Sequence, residues 1–161
     1  MQLTVAPYAP SDLTACTEIW NDILDDGISF PGTELLSESD MARYLAEQSA
    51  VTCVSSGGVI CGFYILHPNN IGRCSHVANA TYCVSKNFRG RGVGRQLVPA
   101  SLAEAKSLGF RGIQFNAVVA GNVAAVTLYK NNGFNIVGTI PGGFRLKDGT
   151  YSDMYIMYRD L

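Results

Sequence analysis

The stretch Val84–Leu97, VSKNFRGRGVGRQL, decides how the rest of the chain is read. It joins an apolar run on its N-terminal side to an apolar run on its C-terminal side. Between them lie three glycines (Gly90, Gly92, Gly94) and three arginines (Arg89, Arg91, Arg95). The run before it, HVANATYCVS (His76–Ser85), has the character of a strand. The run from Gly92 to about Leu108 has the spacing of a helix that Gly109 ends. A strand entering a helix through glycines presents unpaired backbone N–H groups at the positive end of the helix dipole. Together these attract phosphate. Glycine removes the Cβ that would hold a phosphate away, and arginine adds charge and paired donors. The stretch therefore reads as a pyrophosphate cradle formed by Arg89, Gly90, Arg91, Gly92, Val93, Gly94 and Arg95.

The spacing excludes two common phosphate binders. A nucleoside-triphosphate loop needs GxxxxGK[ST], and Arg95 stands where its second glycine would be. The dinucleotide fingerprint GxGxxG finds Gly90 and Gly92 but again meets Arg95 at its third glycine.

Outward from the cradle the chain alternates strands and helices. Residues 2–7 read as a strand. Ser11 reads as the cap of a helix carrying Leu13, Cys16, Ile19, Trp20 and Ile23, and Asp25–Glu34 (DDGISFPGTE) as a loop. Ser37 opens a second helix through about Gln48. Residues 50–56 and 59–66 form a hairpin about Gly57-Gly58. Residues 112–120 read as a strand, Asn122 as the cap of a short helix that Gly133 stops, and FNIVGTI and YSDMYIMYR as the last strands. This predicts one mixed α/β domain over residues 1–161. Pro99 falls inside the cradle helix and predicts a bend near Arg95–Pro99.

Composition sets the remaining bounds. The chain has 161 residues, 47% of them hydrophobic and 16% charged, which predicts a folded globule with a substantial core. The net charge of −1 gives no expectation of nucleic-acid binding. No apolar run reaches the length of a membrane span, and MQLTVAPYAP lacks the basic flank and apolar stretch of a signal peptide. Five cysteines without a CxxC pair read as reduced thiols in a cytoplasmic protein, with Cys83 a small buried hydrophobe. No metal site is expected. Residues 1–50 hold nine Asp/Glu and one Lys/Arg, whereas residues 51–161 hold four and eleven. Solvated helix faces account for this split as well as ligand attraction does.

Arg89-x-x-Gly92-x-Gly94 resembles the acetyl-CoA signature [Q/R]-x-x-G-x-[G/A] of the GNAT superfamily of N-acetyltransferases. Residues 122–134, NVAAVTLYKNNGF, resemble the family's second element. The resemblance implies a central mixed sheet splayed between its fourth and fifth strands, residues 76–85 and 112–120, flanked by about four helices. It implies acetyl-CoA as donor, with the pantetheine arm against backbone near Tyr82–Val84. Asn122 and Ala125 would give that arm passage, and Tyr129, two turns beyond Asn122, would protonate the departing thiolate. It also implies a homodimer.

The acceptor side departs from the family pattern, because neither middle strand carries a carboxylate. His76, His67, Asp153 and an ordered water remain candidate bases, the water being preferred. Asn79 and Asn116 interrupt apolar strands, which marks them as functional candidates. Within GNAT, SHVANATYCVS and QFNAVVAGN resemble the group acetylating the proline analogue azetidine-2-carboxylate. That resemblance places Asn79 at the reacting centre and has Asn79, Asn116 and Asn122 hold an amino acid's carboxylate and carbonyl groups. IWNDILDDGISF resembles the phosphinothricin acetyltransferase group and makes Phe30 part of a substrate lid. The expectation is acetyl transfer to a small-molecule amine, an amino acid or analogue. A protein amine as acceptor, or a non-catalytic acyl-CoA-binding module, remain alternatives.

Overall fold

The computed structural model describes all residues, Met1–Leu161. In chain order the elements are β1 (Thr4–Pro7), α1 (Leu13–Asp26), α2 (Glu38–Ala46), β2 (Ala50–Ser56), β3 (Val59–Pro68) and β4 (Val77–Val84). They continue with α3 (Val93–Ser107), β5 (Gly112–Val119), α4 (Val123–Asn131), β6 (Asn135–Arg145) and β7 (Tyr151–Asp160). The strands form one sheet in the order β1-β2-β3-β4-β5-β7-β6. Every neighbouring pair is antiparallel except β4 and β5. The α/β architecture with four flanking helices is the one the sequence implies.

That parallel pair organises the molecule. β4 and β5 each have eight residues but pair only at Val77–Gly112 and Ala78–Ile113. Beyond Ala78 the strands part, so the facing edges of both lack a ladder partner. The opposite edges are paired: β4 with β3 from Ala78 to Val84, and β5 with β7 on either side of Asn116-Ala117. On its β7 side, β5 loses register between Phe115 and Val118. A bulge of this kind bends a strand, here away from β4.

Two cores clamp the sheet. On one face α3 buries Val93, Leu97, Val98 and Leu102 against Tyr64, Leu66, Ile113 and Phe115. On the other, α1 and α2 bury Cys16, Ile19, Met41 and Leu45 against Phe63, Ile65 and Cys83. The alternation along β3, with Phe63 and Ile65 to one side and Tyr64 and Leu66 to the other, feeds both. All five cysteines are free thiols; Cys16, Cys53, Cys61 and Cys83 are buried and Cys74 is exposed.

The local signals resolve mostly as their chemistry directs. Gly57 and Gly58 both take positive φ (57° and 82°), as the tight β2–β3 turn requires. Ser37 Oγ accepts the Asp40 N–H at 3.1 Å and caps α2. One expectation needs correction. Ser11 is not the cap of α1: it lies in a 3-10 turn at Pro10–Asp12, and the Asp12 carboxylate instead accepts the Ala9 N–H at 2.9 Å. Pro99 is accommodated inside α3, which is continuous over its 15 residues. Pro99 and Arg95 are both exposed, so the Arg95 carbonyl that lost its helical donor faces water.

Candidate active site

The parting of β4 and β5 opens one cleft of about 1500 Å³ through the centre of the molecule. All the residues singled out for the site line it. Arg89 to Arg95, then Tyr82, Val84, Asn122, Ala125 and Tyr129, and also Asn79, Asn116 and Phe30 form its wall. The base candidates His67, His76 and Asp153 do not line it. His67 Nδ1 lies 2.9 Å from its neighbour's carbonyl at Pro68, and Asp153 Oδ1 accepts the Gly142 N–H at 2.9 Å. Their positions rule them out as direct bases in this cleft.

The turn is built to leave donors free. A 3-10 turn at Lys86–Phe88 leads into it. Gly90 and Gly92 adopt φ of 73° and 86°, where a Cβ would have space but the backbone would be strained. That left-handed geometry swings the chain into α3. The Arg91 amide bonds Phe88 O (3.3 Å) and the Arg95 amide bonds Gly92 O (3.1 Å), while the amides of Gly90, Gly92, Val93 and Gly94 bond nothing. Four unpaired N–H groups at the start of a 15-residue helix fit a diphosphate. Arg91 and Arg95 carry no ion pair; the Arg91 guanidinium rests 5.7 Å above the Phe88 ring. Arg89 donates to Asp26 Oδ2 at 2.7 Å.

In the middle of the cleft, Asn122 Oδ1 accepts the Ala125 N–H at 3.2 Å and fixes the start of α4. Two turns on, the half-buried Tyr129 ring packs on Phe115 (centroids 4.5 Å apart) and near Tyr82 (5.8 Å). Its hydroxyl has no partner in the protein. Burial pushes the Tyr129 phenol well above its ordinary value. Tyr82 is shifted the same way by burial, but its hydroxyl is 2.7 Å from Ser101 Oγ, which donates to the Val98 carbonyl at 2.8 Å. Of the two phenols, Tyr129 is the one free to act on a ligand.

The rest of the wall combines aromatic rings with amides. Trp20 lies between Phe30 (4.9 Å) and Tyr44 (5.3 Å). The Phe30 loop is held at both ends: Lys147 N donates to Gly27 O at 3.1 Å, and the Asn21 amide bonds both the N–H and the C=O of Leu36 at 2.9 Å. Two carboxylates line the cleft, Asp26 and Glu34, both on or just after the end of α1. Asp26 is taken by Arg89, and Glu34 forms no ion pair. Sequence reasoning missed Trp20, Tyr44 and Glu34. Trp20 fitted the apolar stripe of α1 and passed as core; its excess width beside Ile19 and Ile23 was the available signal.

A seven-stranded sheet parted at its one parallel pair, with a bare-amide turn at one end of the gap and a free phenol beside it, defines an acyl-CoA transferase type of site. The model of the acetyltransferase (GNAT) family matches residues 14–134, and the chain belongs to that family. A GCN5-related N-acetyltransferase from Kribbella flavida is 32% identical and superposes with a TM-score of 0.92, covering 99% of this chain and 98% of that one. A phosphinothricin acetyltransferase from Sinorhizobium meliloti, solved in complex with acetyl-CoA, shares the fold at a TM-score of 0.93 and 20% identity, covering 100% of this chain and 89% of that one. N-acetyltransferase aca1 of Schizosaccharomyces pombe is 38% identical over 96 residues, 59% of this chain and 46% of aca1. The chain spans less than half the length of the curated relatives it matches.

Proposed function

We propose that the protein transfers the acetyl group of acetyl-CoA to the amine of a small molecule, an amino acid or amino acid analogue. One observation carries the reading: the β4–β5 gap joins a phosphate-ready turn to an aromatic, amide-lined chamber within a single cleft. Bound acetyl-CoA supplies an activated thioester. The four unpaired amides of the turn, with Arg91 and Arg95, hold its diphosphate. The unpartnered edge of β4 from Asn79 to Val84 offers its backbone groups to the pantetheine arm and to the thioester oxygen.

Tyr129 then donates its proton to the leaving thiolate. Its raised pKa keeps it in the donating form throughout the neutral range. Neither β4 nor β5 carries a carboxylate. The amine proton therefore leaves through water held by the free backbone groups of the gap. A free amino acid suits the part of the cleft beside Phe30 better than a protein chain does, because the Phe30 loop is tied down at Gly27 and Leu36. The likeness to azetidine-2-carboxylate acetyltransferases supports the same class. The GNAT resemblance adds a homodimer to the proposal, which sedimentation of the purified chain tests, and the unpaired cysteines add a cytoplasmic location.

A thiol-release assay with acetyl-CoA decides the function. The acceptors are the free amino acids, azetidine-2-carboxylate and a lysine-containing peptide. Acetylation of a free amino acid is expected. Turnover with the peptide alone moves the acceptor to protein, and binding of acetyl-CoA without any turnover makes the chain a binding module.

A further inference from the structure

We propose that Asn69, in the loop after β3, is a positioning residue that bridges the β4–β5 gap and, together with the Gln114 carbonyl, steadies the Asn79 amide with its oxygen toward the incoming amine. The inference rests on the acetyltransferase reading above for its functional half and on hydrogen-bond direction for its structural half. Where the β4–β5 ladder stops, side-chain amides take its place. Asn79 Nδ2 donates to the backbone carbonyl of Gln114 on β5 at 3.0 Å. A backbone carbonyl only accepts, so the atom of Asn79 facing it is the nitrogen.

Every other orientation in the cluster follows from that one. Asn79 Nδ2 also lies 3.4 Å from Asn69, so the Asn69 atom on that side is its oxygen. Asn116 approaches the same Asn69 oxygen at 2.6 Å and must present its nitrogen. The remaining Asn116 oxygen accepts the Gln114 amide at 2.9 Å. Asn69 itself is half-buried and anchored, its backbone N–H donating to Val77 O at 2.8 Å.

One atom is left over. Asn79 Oδ1 receives no donor from the protein, and Asn79 lines the cleft. Both donors of the network that point at Asn69 are satisfied by a single acceptor oxygen. The chamber therefore meets its ligand at Asn79 with a carbonyl oxygen, which accepts an amine N–H. Taking Asn69 away leaves Asn116 Nδ2 without its acceptor and leaves Asn79 Nδ2 with the Gln114 carbonyl alone, so the hold on the Asn79 amide loosens.

The role uses only an acceptor oxygen, so it makes a sharp distinction between two substitutions. Asn69→Asp keeps the oxygen and Asn69→Ala removes it. With azetidine-2-carboxylate as acceptor, Asn69→Ala is expected to raise the acceptor KM about tenfold, the scale of one lost hydrogen bond. The KM for acetyl-CoA should stay within about twofold, since the cradle lies at the other end of the cleft. Asn69→Asp should restore the acceptor KM. In the ligand-free protein, NMR should show side-chain NH2 exchange at Asn79 and Asn116 faster in Asn69→Ala and slow again in Asn69→Asp.

An unchanged acceptor KM in Asn69→Ala overturns the inference, as do equal rises in both KM values, equal damage by the two substitutions, or unaltered NH2 exchange. If wild-type protein acetylates no amine, the function falls instead, and the exchange measurement still decides the role of Asn69. If Asn69→Ala fails to fold, slow NH2 exchange and wild-type KM in Asn69→Asp support the inference, and their loss refutes it.

Discussion

Gly62 is the position where one added methyl group should do the most harm to the site. It lies in β3, buried, opposite Val84 of β4. A Cβ built there would stand 2.5 Å from the Cys83 carbonyl oxygen, 3.0 Å from Val93 Cγ1 and 3.4 Å from Leu97 Cδ1. Carbon-to-carbonyl contacts settle near 3.3 Å, so β4 must retreat by roughly 0.8 Å at Cys83. Nothing flexible absorbs this, because the obstacle is backbone. The second contact pushes on Val93, the first residue of the cradle helix. One methyl group thus pries at both walls of the proposed donor site. Overpacking of this kind costs about 1–3 kcal/mol. The entropy that Ala removes from the unfolded chain returns only about 0.4–1 kcal/mol. The clash wins. Gly62→Ala should lose about 2 kcal/mol in urea denaturation and bind acetyl-CoA at least about tenfold more weakly by calorimetry. Gly121→Ala is the control: its nearest neighbour would be Ser152 Oγ at 3.8 Å, and its φ is not positive, so it should be neutral or slightly stabilising. Equal midpoints and equal affinities for the two variants would refute the reasoning.

Tyr129→Phe keeps the ring contacts with Phe115 and removes a hydroxyl that bonds nothing in the protein, so stability should hold within about 1 kcal/mol while kcat falls about 10²–10⁴-fold; an unchanged kcat removes Tyr129 as the acid. Asp26→Asn should tighten acetyl-CoA binding about two- to fivefold at low salt, and less at high salt, by releasing Arg89 and removing a negative charge from the cleft; weaker binding would show that the pair serves to order the turn. Stability should be lost at alkaline pH. The hydrogen bond with Cys53, and then burial, raise the thiol of Cys16, and burial raises the thiol of Cys83 and the phenols of Tyr64, Tyr82 and Tyr129 in the folded protein, so the unfolded chain releases these protons first, near 9.0 for the thiols and 10.0 for the phenols. Fewer protons bound in the unfolded state means that stability falls as pH rises, beginning near pH 9 and steepening above pH 10. Urea midpoints flat from pH 8 to pH 11 would contradict this.

What could be read from the sequence was whatever depends on neighbours along the chain. The cradle turn, the Gly57-Gly58 hairpin and the Asn122 and Ser37 caps rest on contacts three or four residues apart, and each formed as expected. The parting of β4 and β5 came through the family resemblance, not through periodicity; both strands are apolar enough to pair throughout. Ser11 was misread because Asp12, one residue later, has the stronger acceptor for the Ala9 amide. The acceptor end stayed dark for a different reason. Trp20, Tyr44, Asn69 and Glu34 come from α1, α2 and two loops, and no local pattern says that Asn69 and Asn116, 47 positions apart, share a hydrogen bond. Asn79 and Asn116 were legible as violations of strand chemistry. Their orientation was not, because it depends on the Gln114 carbonyl across the gap.

The acidic first third of the chain acquires a physical meaning in the same way. Asp25 and Asp26 close α1, where the negative end of the helix dipole disfavours them, and no basic residue occupies that last turn. The compensating charges come from outside the helix. Lys86 pairs with Asp22 at 3.0 Å, Arg89 with Asp26 at 2.7 Å, and Lys147 with Asp25 at 3.2 Å. Each pair is solvent-exposed and contributes little stability alone. Their placement matters more than their strength. Two of the three cations flank or belong to the phosphate-ready turn, and the acids stand where the chain leaves α1 for the Phe30 loop. Under the proposed function, a diphosphate entering the turn would compete with Asp26 for Arg89. The Asp22–Lys86 and Asp25–Lys147 pairs remain to hold the loop while that exchange occurs. In the proposed reading, donor binding therefore exchanges one exposed ion pair of α1 for a contact to the ligand, an effect that salt should weaken.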